Sequence, residues 1–315
     1  MNRGRYIAYR VAWAGVASLV VTVVLFVVAT SIGDLTDTLG GAESPPFPDA
    51  EAEFWDESDP LYVQYLDWLA SLVTLDWGES LRYGEPVTDL VVERGKITAA
   101  YLVPSVVLGT ALATLFGYVA AAREGGLLDG SVRTSTYLVL AVPNFLVAAT
   151  LGRYLEKRSF SPGDEGYALN EVILSGSNVF WIGVAVAILS THVAAVQLRQ
   201  VRAQSSEYLA AEFTRMLHAK GLGPLGVARH VLRAAIVPLT SLFVAEVAGL
   251  LLVSVFVIEA VLRIPGLGFI TWNALNFNDA PLVLNVTFLV ALTLIFASLL
   301  EDIIAVTLDP RLDDG

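Results

Sequence analysis

Glu246 is the one charged residue between Ala234 and Ile258. If that stretch lies in lipid, an ionised carboxylate there costs a few kcal/mol or more. Two readings stay open: a carboxylate lining a polar path, where it can meet a cationic solute, or a neutral hydrogen-bonded acid at a helix contact. Asn144, in a second apolar run, carries the same pair of readings, and Pro143 beside it kinks its helix. His192 stands in a third run with no other His or carboxylate near it in sequence, and reads as structural. The chain has no G-x-x-x-x-G-K-[ST] loop to cradle a nucleotide phosphate, since Gly95-Lys96 is followed by Ile97. It has no H-E-x-x-H and no G-x-S-x-G, so neither a zinc protease site nor a nucleophile elbow is written in it. With no cysteine it has no thiolate metal site and no disulfide.

The segment 201–237 gathers charge of the other sign. It holds Arg202, Arg215, Lys220, Arg229 and Arg233 against Glu207 and Glu212. Phe213, Met216 and Leu217 form a short apolar stripe at helical spacing, with Arg215, His218 and Lys220 elsewhere around the turn. Gly221 is placed to end that helix with a positive φ, and Pro224 suits the first turn of the next. Val227, Val231, Leu232, Ala235 and Ile236 then carry an apolar stripe toward Pro238. The unit is a helix, a glycine turn and a helix. Periodicity alone leaves it open as a basic interfacial anchor or as a docking element, and the anchor is the simpler reading. Its length beyond a plain connection keeps the docking reading alive.

The elements that hold these residues are set by composition. Hydrophobic residues make up 55% of the 315 and charged residues only 16%, and the mean hydropathy is +0.65. Val11 to Gly33, Ile97 to Ala122, Thr134 to Gly152, Val172 to Leu198 and Ala280 to Leu300 contain no Asp, Glu, Lys or Arg. A helix needs ~20 apolar residues to cross ~30 Å of hydrocarbon, and a chain in lipid must pair its own backbone amides. With Ala234 to Ile258 these runs make about six transmembrane helices of an all-α integral membrane protein. The first run is too long for a signal-peptide core of ~7–15 residues and reads as a retained span.

Lys and Arg set the orientation. Arg3, Arg5 and Arg10 precede the first run, Arg123 and Arg133 flank the second loop, and the basic segment 201–237 follows the fourth run. The segment 34–96 carries 15 acidic residues against Arg82, Arg94 and Lys96. Basic loops face the cytoplasm, which places both termini inside the cell membrane. Within the acidic segment, 34–59 holds nine acidic residues and Pro45, Pro46 and Pro48 and cannot bury a core. After Pro60 an amphipathic helix is expected from Leu61, Tyr62, Tyr65, Leu66, Leu69, Leu72 and Val73, lying at the outer membrane surface with Trp68 and Trp77 at the interface. Pro86 is expected to start a short helix, Val87 to Arg94. The net charge of −12 argues against nucleic acid as a partner and leaves membrane lipid as the surrounding medium. Only 3 of the 19 basic residues are Lys, and with the acidic excess this reads as a halophile-like adaptation to salt, which screens such repulsion.

Residues 212–222, Glu-Phe-Thr-Arg-Met-Leu-His-Ala-Lys-Gly-Leu, resemble the cytoplasmic signature of binding-protein-dependent ABC importer permeases. Together with Arg229, His230, Leu232, Arg233 and Pro238 they resemble the dipeptide/oligopeptide/nickel family, first-subunit type. Pro143-Asn-Phe145, Glu259, Pro265-Gly-Leu-Gly268, Asp279 with Pro281, and Leu308-Asp-Pro-Arg311 are similar to the family as well, as is the outer run from Tyr65 to Thr88. His218 stands where an Arg is usual, and Met216-Leu217 where small residues are usual.

The resemblance implies a type I ABC importer permease fold. It divides the chain into 1–33 (tail and first span), 34–96 (outer acidic loop), 97–309 (core, with the coupling loop 201–237) and a cytoplasmic tail, 310–315. It implies a second homologous permease subunit, two ABC ATPase subunits and an external solute-binding lipoprotein. Glu212, Phe213, Arg215, Met216, Leu217, His218, Ala219, Lys220, Gly221 and Leu222 become the ATPase-coupling residues, with Phe213 and Leu217 filling a groove in the ATPase. Asn144 and Glu246 become candidates for the translocation path. No cofactor is expected in this chain, with ATP and Mg bound by the partner ATPase. Peptides are the expected cargo, with nickel or an oligosaccharide as the alternatives. A stand-alone secondary transporter would carry several intramembrane charges and often a duplicated half, neither of which is seen here. A membrane-embedded enzyme would need one of the constellations that are missing.

Overall fold

The computed structural model describes residues 3–39, 59–156, 176–249 and 255–308. Among these residues the regular structure is helical, apart from one isolated β-bridge between Glu79 and Pro86. The helices are α1 (Arg3–Leu39), α2 (Leu61–Thr74), α3 (Val87–Ala122), α4 (Leu127–Ala141), α5 (Asn144–Glu156), α6 (Gly176–Ala210), α7 (Glu212–Ala219), α8 (Pro224–Gly249), α9 (Val255–Leu262), α10 (Leu267–Asn276) and α11 (Ala280–Leu308). Four of them, α1, α3, α6 and α11, are long and apolar enough to cross a membrane, and up to six spans result if two bent pairs each count as one.

The first bent pair covers the expected span from Thr134 to Gly152 and breaks it at the expected kink. α4 and α5 meet at 77°. Pro143 has no N–H to continue the ladder, and Val142 before it is extended, with φ −108° and ψ 118°, as a residue preceding proline prefers. The second pair, α9 and α10, meets at 79°. The expected fifth span, Ala234 to Ile258, begins within α8 and ends within α9, and residues 250–254 between them lie outside the described set, as do 40–58 of the acidic loop and the terminal 309–315. The short helix expected at Val87 to Arg94 is instead the first part of the continuous 36-residue α3.

α3 and α6 form the closest helix pair, and glycine is the reason. A Cβ on Gly109 would stand 2.7 Å from Cβ of Val193, and one on Gly117 would stand 2.9 Å from Cβ of Val201. With Ala113 between them, these residues make a small-residue stripe at i, i+4, i+8 that lets the backbones approach. α5 and α9 close the same core through Ile97, Tyr101, Ala148, Leu189 and Ile258. A second core joins α1, α2, α3, α10 and α11 around Trp68, Leu90, Ile270 and Leu282. Trp68 and Trp77 are buried there, which corrects their expected place at the membrane interface. Their rings fill the gap between α2, the loop that follows it and α11. An ion pair between Arg10 and Asp302 joins the N-terminal part of α1 to the C-terminal part of α11.

Candidate functional site

The basic segment folds as its glycine and proline dictate. α7 starts after Ala211, which lends no side-chain cap. Thr214 supplies a hydroxyl bond of 2.7 Å to the Tyr208 carbonyl, fixing the corner between α6 and α7. α7 ends in a paired closure. The Gly221 N–H donates to the His218 carbonyl at 2.9 Å, and the Leu222 N–H donates to the Leu217 carbonyl at 3.2 Å. Gly221 has φ +78°, as the turn requires, and α8 begins at Pro224. Leu222 packs with Leu217, Val227 and Val231 in a small core at the foot of the bundle.

That core divides the residues singled out in the sequence. Leu217 is only 5% exposed and faces its own chain, so it cannot fill a groove in another protein. Phe213 and Met216, 38% and 46% exposed, point outward instead. Helical periodicity could not separate the two faces, because the stripe Phe213-Met216-Leu217 spans the boundary between them. Glu212, Arg215, His218, Ala219, Lys220 and Gly221 are exposed, and Leu222 is half-buried. The Phe213 and His230 rings sit edge to face at 6.5 Å, which joins the outer side of α7 to α8. The exposed residues of this segment include an aromatic and a thioether side chain and the basic Arg215, Lys220, Arg229 and Arg233. Aromatic residues, Met and Arg are enriched at protein interfaces.

Sequence reasoning missed the clamp above this surface. Arg202 on α6 grips Asp129 on α4 with two bonds, Nε to Oδ1 at 2.5 Å and Nη2 to Oδ2 at 2.9 Å. The Gly125 N–H adds a third bond to Oδ2 at 3.1 Å, and the Ser206 hydroxyl donates to Glu124 at 2.7 Å. The turn between α3 and α4 is thereby fastened to the part of α6 that leads into α7. The partners are 73 residues apart, and nothing local marks Asp129.

The other end of the bundle is braced by two buried carboxylates. Glu259 at the end of α9 is fully buried. It accepts from the Tyr101 hydroxyl at 2.5 Å, the Thr98 hydroxyl at 2.7 Å and the Phe269 N–H at 3.0 Å, so it caps the start of α10 while tying it to α3. Gly266 and Gly268 are small because this carboxylate and the Phe256 backbone occupy the space: a Cβ would approach within 2.2 Å and 2.6 Å respectively. Asp279 accepts from Ser80 at 2.5 Å and from the Arg82 and Leu282 N–H groups at 3.1 and 3.2 Å, capping α11 and pinning the loop after α2. Burial pushes the Asp279 carboxyl up from its ordinary range, and the Ser80 bond works against that. Arg82 covers the Phe277 ring at 4.3 Å.

Asn144 and His192 come together. Both line an apolar cleft of about 740 Å³ between the α4–α5 break and α6, with Leu138, Val142, Phe180 and Thr191. Glu246 lies on α8, and its side chain lies outside the described set.

A transmembrane bundle with an exposed basic segment at one end and no nucleotide loop matches one known family over most of its length. Residues 113–314 fit the family described as binding-protein-dependent transport system inner membrane component. The chain belongs to this family. The dipeptide transport system permease protein of Lactococcus lactis is 31% identical over 255 residues, 80% of each chain. The corresponding protein of Bacillus subtilis is 29% identical over 309 residues, 95% of each chain. A metal-staphylopine import system permease protein of Staphylococcus aureus is 27% identical over 264 residues, 82% of this chain and 80% of that one. As a member, the chain is a multi-pass membrane permease of an ABC importer and works with a solute-binding protein and ATPase subunits.

Proposed function

We propose that this chain is the permease subunit that carries short peptides into the cell, coupled through α7 to an ATPase that binds ATP and Mg. The observation that carries the coupling is the split of α7: Leu217 anchors it to its own foot, while Phe213 and Met216 are left for a partner. A closed helix end and the Arg202–Asp129 clamp make that surface rigid enough to pass on a rigid-body motion. A second homologous permease completes the pore, two ATPase subunits lie beneath and an external lipoprotein delivers the solute. Asn144 and Glu246 remain candidates for the path. The peptide cargo is supported by the names of the relatives from Lactococcus and Bacillus. The staphylopine relative favours a second reading, a metal carried in an organic chelator.

Mass spectrometry of the ligand bound to the cognate solute-binding protein, followed by uptake of that ligand in cells with and without this chain, tests the cargo. A bound metal chelate and no peptide would overturn the peptide reading. Orientation has its own test, made easy by the absence of native cysteine. An impermeant thiol reagent applied to intact cells should label a cysteine at Ser58 and leave one at Ser206 unlabelled. The reverse pattern would turn the molecule over.

A further inference from the structure

We infer that α2 is an in-plane membrane helix, sunk to the depth of the lipid acyl chains on the side of the bilayer away from the Arg10–Asp302 pair. Two helices give its depth independently. The Tyr65 hydroxyl lies 2.9 Å from that of Thr22, and the Trp68 ring stacks on Phe26 at 6.0 Å. Thr22 and Phe26 stand about 18 and about 24 Å along α1 from Arg10, at 1.5 Å per residue. On the other side Trp68 meets Phe288 edge-on at 6.3 Å. Phe288 stands about 21 Å along α11 from Asp302 by the same rise. Both measures place the underside of α2 within the ~30 Å of hydrocarbon, some 6–12 Å short of its far edge.

The 14 residues of α2 reach about 21 Å, too short to cross, and its contacts with α1 and α11 centre on Tyr65 and Trp68, as those of a helix laid across them do, so we read it as lying along the membrane. Its buried face is Gln64, Trp68 and Leu72. Beside that face runs a second apolar stripe, Tyr62, Leu66, Leu69 and Val73, at the i, i+4, i+7, i+11 spacing of a single helix side. Tyr62, Leu66 and Val73 are exposed at 68%, 56% and 81%. Asp67 and Thr74 lie on the remaining side. On α1, against which α2 packs, Val20, Val23, Val24 and Val27 are exposed and stand about 15–26 Å from Arg10, the depth that the α2 contacts reach. Lipid is therefore the occupant, and the residues in contact with it are different from the tryptophans the sequence singled out.

The test uses the full chain, which has no cysteine of its own. Single cysteines at Tyr62, Leu66, Val73 and, as the control, Asp67 are labelled with bimane and reconstituted in phosphatidylcholine vesicles. Acyl chains brominated near the headgroup should quench the first three labels at least twofold more than chains brominated at the terminal methyl, while aqueous iodide quenches the Asp67 label. If iodide quenches all four alike, the stripe faces water and the inference fails. It fails too if the three labels are shielded from bromine only once the second permease or the binding protein is added, since a protein then covers the stripe.

Discussion

The two ends of this bundle use polar side chains in opposite ways. At the Glu259–Asp279 end, buried carboxylates spend their lone pairs on the chain's own hydroxyls and N–H groups, and glycines clear the space they occupy. At the α7 end the charges are exposed, and the apolar residues Phe213 and Met216 face outward beside a small core of three buried residues. One end is closed on itself and keeps a shape. The other leaves Phe213 and Met216 exposed for the partner proposed above. Substitutions should therefore damage assembly of the chain at the first end and assembly of the transporter at the second.

The sharpest contrast should come from Glu259→Ala. It strands the Tyr101 and Thr98 hydroxyls and the Phe269 N–H, and breaking such a buried network costs about 3–5 kcal/mol. The expected outcome is a large loss of folded chain from the membrane, read by thermal aggregation of the detergent-solubilised protein. Normal yield and melting would erase the distinction between the ends. At the foot, Leu217→Asp buries a charge in the small core and should disorder α7 locally. Phe213→Asp with Met216→Asp should leave the chain at normal level and melting temperature but reduce copurified ATPase at least tenfold. Should the surface pair melt the chain and Leu217→Asp leave it intact, the division of α7 is inverted.

A smaller effect is expected at Gly221→Val, where a β-branched residue must hold a positive φ at about 1–2 kcal/mol. Uptake should fall severalfold with the ATPase still bound, measured as solute moved per ATP hydrolysed. The smallest effect on uptake is expected at Asp279→Asn, which keeps a capping oxygen for α11 but puts an amide NH2 where Oδ2 accepted from the Arg82 N–H and the Ser80 hydroxyl, losing the charge and at least the Arg82 bond at about 1–3 kcal/mol. Its melting temperature should fall by a few degrees, and uptake should be nearly unchanged.

Local chemistry was legible from the sequence, and distant pairing was not. Gly221 and Pro224 announced the turn because a positive φ and a missing N–H are properties of single residues. The spans were legible because runs without charge persist over a bilayer's thickness. The break at Pro143 was readable as a kink, but its 77° angle depends on how α5 packs against α9. Asp129 and Arg202 stayed invisible since each is an ordinary charge until the fold joins them. The stripe Gly109, Ala113, Gly117 had a readable spacing, but its partner on α6 did not. Trp68 and Trp77 misled because aromatic residues near a span suit the interface and the core equally well.

The 35 residues of α6 measure about 52 Å, so about 20 Å of rigid helix extends past the hydrocarbon to α7. That makes α6 a crankshaft whose angular phase decides which way Phe213 and Met216 point. One residue inserted near its C-terminal end turns everything beyond it by about 100° and advances it by about 1.5 Å. Four residues bring the phase back to within about 40° of the original but leave the surface about 6 Å too far from the bilayer. Apart from Arg202 and Ser206, which hold the α3–α4 turn, the composition of this stretch is freer to vary than its length, and the helix would fix both the stand-off and the bearing of the partner proposed for α7.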